Sequence, residues 1–198
     1  ASGGHGVYVT ASGGTIRTTG AGALGVTATG GAGSSGNNDG VVLYVGNSFQ
    51  TTGTGNITVR GTKGSGAGSY GIYDNAANAI ITSGSSGNIT LLSDEFILTN
   101  PGAGLYDVSA VGSLTIAPLT AGTTMGVGSG AGTLSFSDTY IGYTTAASYV
   151  FGSTAAGNLT INTTRDFGTS NVTFLSGANI TLAGNLTKAS GAGTANYL

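Results

Sequence analysis

Apolar residues in this chain come in short clusters, three to five residues long, and many alternate with Thr or Ser. They include Gly6-Val7-Tyr8-Val9, Val41-Val42-Leu43-Tyr44-Val45, Ile57-Thr58-Val59, Ile89-Thr90-Leu91-Leu92 and Phe96-Ile97-Leu98. Further on stand Leu114-Thr115-Ile116, Leu134-Ser135-Phe136, Leu159-Thr160-Ile161, Val172-Thr173-Phe174 and Ile180-Thr181-Leu182. Side chains of a strand point alternately to its two faces, so this period of two describes strands with one buried face. Gly, Ser and Asn separate the clusters and supply the tight corners. About twenty strands fit at this spacing. No stretch carries a helical apolar period. Residues 27–40 and 61–70 are the most polar and are read as loops.

Two motifs recur. An aliphatic residue followed by Tyr appears in Gly6-Val7-Tyr8, Val42-Leu43-Tyr44, Gly71-Ile72-Tyr73 and Gly104-Leu105-Tyr106, and in weaker form in Ile141-Gly142-Tyr143. Gly-Asn-Ile/Leu-Thr appears at 55–58, 87–90, 157–160 and 184–187. Repetition at intervals of about 20–50 residues marks a stacked array. The reading is therefore all-β: a right-handed parallel β-helix of about six to eight coils, with like residues above like. An antiparallel sandwich would also give many short strands, but with less self-similarity. Residues 1–198 form a single segment. Neither end offers a capping helix, so the segment is expected to belong to a longer rod.

Composition narrows the function. Of 198 residues, 39 are Gly and 31 are Thr, and Lys and Arg total 5 against 7 Asp and Glu. Five cations cannot track a phosphate backbone, so no nucleic-acid partner is expected. No apolar run reaches the roughly 20 residues of a membrane helix, so no membrane span is expected. With no Cys, there are no disulfides, zinc-thiolate sites or thiol nucleophiles. Mean hydropathy is positive, which separates the chain from flexible Gly/Ser linkers.

The Gly-Asn-Ile/Leu-Thr strands, Leu114-Thr115-Ile116-Ala117-Pro118, Thr123-Thr124-Met125-Gly126-Val127-Gly128 and Gly130-Ala131-Gly132-Thr133-Leu134-Ser135 resemble the filamentous-haemagglutinin-like exoproteins of Gram-negative bacteria and the related autotransporters. The resemblance runs from about residue 55 onward and is one of composition and rhythm. It implies a right-handed β-helix, an extracellular or cell-surface location, and adhesion, filament or biofilm roles. The expected function is a structural or adhesive stalk segment; the alternative is a β-helix that binds or cleaves carbohydrate. Expected partners are neighbouring copies or flanking coils joined by strand pairing at the ends, and host or matrix glycans.

Candidate chemistry is sparse. Tyr8, Tyr44, Tyr73 and Tyr106 are expected to form a structural aromatic ladder, with Tyr44 and Tyr73 as candidate glycan contacts. Asp74 and Asp107 follow equivalent tyrosines and are expected one coil apart. They are candidate Ca²⁺ ligands, with solvated corner carboxylates as the simpler reading; no metal or other cofactor is expected. Asp94 and Glu95 are adjacent and would point to opposite faces of a strand. No spacing joins them to Asp138 or Asp166 as a glycosidase pair would require. His5, the sole histidine, is expected to be a frayed terminal residue. No nucleophile elbow is present, and Gly126-Val127-Gly128-Ser129-Gly130 lacks the following helix of a phosphate loop. An enzyme is not expected. Seven Asn-x-Thr sequons begin at Asn56, Asn88, Asn158, Asn162, Asn171, Asn179 and Asn185; turn formation accounts for most of them.

Overall fold

The structure, a computed structural model, describes residues 3–11, 13–34, 36–82, 84–99, 102, 105–186 and 195–197, the last three as backbone. Gly104 of the fourth Tyr motif and Thr187 of the last Gly-Asn-Leu-Thr motif lie outside the described residues.

The first pass of the chain makes β1 (Val7–Val9), β2 (Ile16–Thr18) and β3 (Leu24–Thr29); the second makes β4 (Val41–Leu43), β5 (Phe49–Thr51) and β6 (Ile57–Thr62). The third makes β7 (Ile72–Asp74), β8 (Ile80–Thr82) and β9 (Ile89–Leu92). Each strand pairs in parallel with its counterpart one pass later. Val41 lies opposite Val7 and Ile72, Phe49 opposite Ile16 and Ile80, and Ile57 opposite Leu24 and Ile89. Parallel neighbours need a long crossover, and here two strands from the other rows provide it.

The fourth pass contains β10 (Phe96–Leu98), β11 (Val108–Ala117) and β12 (Met125–Gly128). β11 serves two rows: Val108 faces Ile80 of β8, and Leu114 faces Ile89 of β9. Its register shifts between Ala110 and Ser113. Then follow β13 (Leu134–Phe136), the five-residue helix α1 (Asp138–Gly142), β14 (Thr144–Gly152), β15 (Leu159–Asn162), β16 (Asn171–Leu175), β17 (Ile180–Leu182) and β18 (Ala195–Tyr197). The rows are β1-β4-β7-β10, a ten-stranded sheet with the spine β18-β16-β14-β11-β8-β5-β2 and the branch β3-β6-β9 joining at β11, and β13-β12-β15-β17. All of these pairings are parallel, and apart from α1 the described protein is all-β.

Alternation decides what is inside. Leu24, Ile57, Ile89 and Leu114 form one inward file; Val26, Val59, Leu91 and Ile116 form the next. Each such side chain, fully buried, contributes about 1.5–3 kcal/mol. Phe151 stacks on Tyr149 (ring centroids 5.9 Å apart) and on Phe174 (5.7 Å), closing the core in the later passes. Thr58, Thr90 and Thr115 form a file facing outward between them.

Polar side chains stitch one pass to the next. Asn56 Oδ1 accepts the Asn88 N–H (2.9 Å), Asn88 Oδ1 accepts the Ser113 N–H (2.7 Å), and Asn158 Oδ1 accepts the Asn179 N–H (3.2 Å). The Asn of Gly-Asn-Ile/Leu-Thr is thus a rung between passes. Threonines at the end of the second row donate within their own pass: Thr18, Thr51 and Thr82 stack in register and give their hydroxyl protons to the carbonyls of Gly22, Gly55 and Gly87, while the Thr82 oxygen also accepts the Val111 N–H of the next pass.

Two local expectations are revised. β3 and β6 extend into the stretches read as loops from residues 27 and 61, because small Ala28 and Gly61 continue the strand without an apolar cluster to announce it. α1 has no counterpart in the sequence reading, since five residues show no periodicity; Ser137 caps it by accepting the Tyr140 N–H at 3.2 Å. The Gly-rich segment after Thr124 begins as a strand, β12. The chain then doubles back so that Leu134 pairs beside Met125. The return passes directly across β12: a Cβ on Gly126 would stand 1.9 Å from the Gly130 carbonyl oxygen, and one on Gly132 would stand 2.3 Å from the Gly126 nitrogen. Glycine is required there because two backbones touch.

Candidate functional site

The residues preceding the first-row strands align one above another. Because Val7, Val41 and Ile72 are in register, so are Gly6, Gly40 and Gly71, and so are His5, Asp39 and Tyr70. The Gly6 N–H donates to the Asp39 carbonyl (3.0 Å) and the Gly40 N–H to the Tyr70 carbonyl (2.9 Å), which fixes this file. Beside it rise Tyr8 of β1, Tyr44 just past β4, and Tyr73 of β7. Together with Asn37 these side chains line a cleft of about 220 Å³.

The rings meet at steep angles. Tyr8 and Tyr44 are edge to face (5.8 Å, 86°), Tyr44 and Tyr73 are tilted (5.8 Å, 46°), and Tyr70 lies against Tyr73 (6.0 Å). His5 stacks on Tyr8 at 4.7 Å, and its Nδ1 lies 3.2 Å from Asp39 Oδ2 without the geometry of a hydrogen bond. Asp39 is nearly buried, and its Oδ1 accepts the Tyr70 N–H at 2.7 Å. Burial pushes the Tyr44 phenol above its ordinary pKa, and the Tyr73 phenol and the Asp39 charge add to the rise.

The expected four-membered ladder is therefore corrected. Tyr8 and Tyr73 share one register position with Val42 between them, while Tyr44 lies two residues further along and reaches the row from outside the strand. Tyr106 is elsewhere. Its carbonyl accepts the Asn78 N–H at the start of the second row, and it borders a separate cleft with Tyr149, Arg165 and Phe167. The aliphatic-Tyr motif misaligned these positions because the connections between strands differ in length. His5 is likewise not a frayed residue, since Asp39 and Tyr8 hold it. Asp39 and Tyr70 were missed as site residues. The signal was present in His5-Gly6-Val7, Asp39-Gly40-Val41 and Tyr70-Gly71-Ile72, one Gly-aliphatic corner repeated with a chemically active residue in front.

The acidic residues outside the cleft each have a defined place. Asp74 occupies an inward file between Leu43 and Leu98, and Asp107 immediately precedes β11. Both are fully buried, so they are not solvated corner carboxylates. Nor are they equivalent: one belongs to the first row, the other stands at the head of the second. Among the described residues, Asp74 Oδ2 and both Asp107 carboxyl oxygens have no hydrogen-bond partner. Burial pushes Asp74 well above the usual carboxylate range, Asp107 adds to the rise, and the Ala76 N–H opposes it. Burial pushes Asp107 up to about 7. Burial thus favours the protonated form of both groups. No group of three or more His, Cys, Asp or Glu gathers around a common point among the described residues.

Asp94 accepts the N–H groups of Leu119 and Thr120, both at 3.0 Å, and ties down the following pass. Asp138 accepts the Thr163 hydroxyl and both the N–H and the hydroxyl of Thr164. Burial works against its charge, but those hydrogen bonds and Arg165 outweigh burial and hold it below the ordinary range. Glu95 pairs with Lys63 at the surface, and Asp166 accepts the Gly168 N–H at 2.8 Å. The structure thus brings together Tyr8, Tyr44 and Tyr73 with His5, Asp39 and Tyr70, and leaves Tyr106, Asp94, Asp138 and Asp166 apart from them.

Compared with known proteins, the chain matches no family model, no curated protein and no solved structure.

Proposed function

We propose that the chain winds as a right-handed parallel β-helix of about six to eight coils and serves as a stiff structural or adhesive segment of a secreted or cell-surface bacterial exoprotein. The observation that carries this reading is the parallel row β2-β5-β8-β11-β14-β16-β18, in which each strand stacks on the strand of an earlier pass. At about 4.8 Å between strands, seven or eight such layers give a rod of roughly 30–40 Å. Asn rungs and capping carboxylates join the passes, so tension along the rod is shared among many hydrogen bonds. The resemblance of the Gly-Asn-Ile/Leu-Thr strands to filamentous-haemagglutinin-like exoproteins supports the same reading. Edge strands offer pairing positions for flanking coils or further copies.

The carbohydrate alternative draws on Tyr44 and Tyr73, which line the aromatic cleft. Cleavage of a glycan would call for two carboxyl groups across one cleft, and this cleft has one, Asp39, among its described lining residues.

Immuno-electron microscopy of the producing cells, with antibody raised against the folded chain, tests the proposal. Label outside the outer surface, at a consistent distance from it, is the expected result. Label confined to the cell interior overturns it.

A further inference from the structure

The geometry points to the cleft between Tyr8, Tyr44 and Tyr73 as a binding site for a trimethylammonium group, the cationic head of choline-type molecules. Three features carry the inference. First, the walls are aromatic and steeply angled: the edge-to-face Tyr8–Tyr44 pair and the tilted Tyr73 make a corner, not a flat stacking platform. Aromatic faces arranged around a point attract a cation through their quadrupoles, and quaternary ammonium is the ion whose apolar methyl surface suits such walls best. Second, the nearly buried Asp39 carboxylate lines the same cleft, and no Lys or Arg does so among the described residues. Third, about 220 Å³ is below the ~300–1,000 Å³ typical of drug-sized ligands and suits a single head group. Tyr8 and Tyr44 are 55% and 42% exposed, so the cleft is reached from solvent without displacing the core.

A neutral sugar would favour an open, flat ring face, which the steep Tyr8–Tyr44 corner does not offer. His5 also lines the cleft, stacked on Tyr8 and with Nδ1 3.2 Å from Asp39 Oδ2, and the Tyr70 N–H holds the other carboxylate oxygen. The proposal does not depend on a cell-surface location, and its test is independent of microscopy.

Four of the nine Tyr line the cleft and the chain has no Trp, so a change in tyrosine fluorescence is one readout, with isothermal calorimetry as the second. The intact chain is titrated with tetramethylammonium, choline, phosphocholine, and 3,3-dimethylbutanol, the uncharged isostere of choline. The cations are expected to bind at least about tenfold more tightly than the isostere. Tyr44→Ala is expected to weaken binding about tenfold or more, while Tyr44→Phe, which keeps the ring, retains it. Asp39→Asn keeps the oxygen that accepts the Tyr70 N–H and is expected to lose roughly tenfold through charge alone. Phosphatidylcholine vesicles distinguish the source: co-sedimentation of the wild-type chain but not of Tyr44→Ala identifies a lipid head group, and binding of soluble choline without co-sedimentation identifies a free ligand. Equal affinity for choline and its isostere, binding of monosaccharides in place of the cations, or no cation binding up to roughly 50 mM overturns the proposal.

Discussion

Asp74 and Asp107 are two buried carboxyl groups that lie near enough for the charge on Asp107 to raise the pKa of Asp74, and three of their four oxygens have no hydrogen-bond partner among the described residues. Asp74 stands where the files above and below it carry Leu43 and Leu98. An acid in that position is tolerated as a neutral group, because burying a bare charge costs far more than burying a carboxylic acid.

Stability should therefore fall as pH rises. Unfolded aspartates titrate near 4, whereas Asp107 in the fold titrates at about 7 and Asp74 is also well raised. Between those values these two groups hold more protons in the native state than in the unfolded chain, so the stability they contribute is full below about 4 and is lost as pH rises through about 7. Asp107→Asn should stabilise the protein by roughly 1–3 kcal/mol at pH 8 and change little at pH 4. Urea denaturation at the two pH values checks this; equal effects at both would show that the carboxyls are not held neutral.

The Asn rungs should matter individually. Asn88 Oδ1 accepts both the N–H and the hydroxyl of Ser113. Asn88→Ala should cost about 1–2 kcal/mol, and Asn88→Asp, which keeps an acceptor, less. Thermal melts of the two variants give the comparison, and identical losses would mean that the acceptor is irrelevant.

The crossing of β12 is a steric prediction. Gly126→Ala forces a methyl group into the Gly130 carbonyl and should destabilise the protein by more than about 3 kcal/mol or prevent folding. Gly25→Ala, on the exposed face of β3 with nothing within 4 Å, should be neutral or slightly stabilising. Expression yield and melting temperature, measured side by side, separate the two positions.

Lys63 and Glu95 form an ion pair at the surface, with side chains 47% and 35% exposed. Lys63→Ala should change stability by less than about 0.5 kcal/mol. Thr82→Val should cost more, about 1–2 kcal/mol, because the buried Thr82 hydroxyl donates to the Gly87 carbonyl and accepts the Val111 N–H. Chemical denaturation of both variants tests the ranking.

The strands announced by alternation alone, such as Ile57-Thr58-Val59 and Leu134-Ser135-Phe136, stand where the pattern puts them. Those carried by small residues do not announce themselves. Thr144-Thr145-Ala146-Ala147 opens the nine-residue β14, and Met125-Gly126-Val127-Gly128 is a buried strand, because neighbouring passes supply the apolar cover that their own side chains lack. The aromatic cleft was half legible: Tyr8, Tyr44 and Tyr73 stood out as a motif, while Asp39 and Tyr70 needed the stacking of Gly6, Gly40 and Gly71 to be seen beside them.

What the chain determines locally is the inward and outward assignment of each short strand, and the corners between them, since both rest on neighbouring residues and on the backbone freedom of Gly and Asn. What the tertiary structure decides is which residue lies above which. That depends on the lengths of the connections and on pairing between residues far apart in sequence, and no two-residue period encodes it. The same stacking puts Val42, not Tyr44, between Tyr8 and Tyr73, moves Tyr106 to another corner, and carries Asp74 and Asp107 into the core.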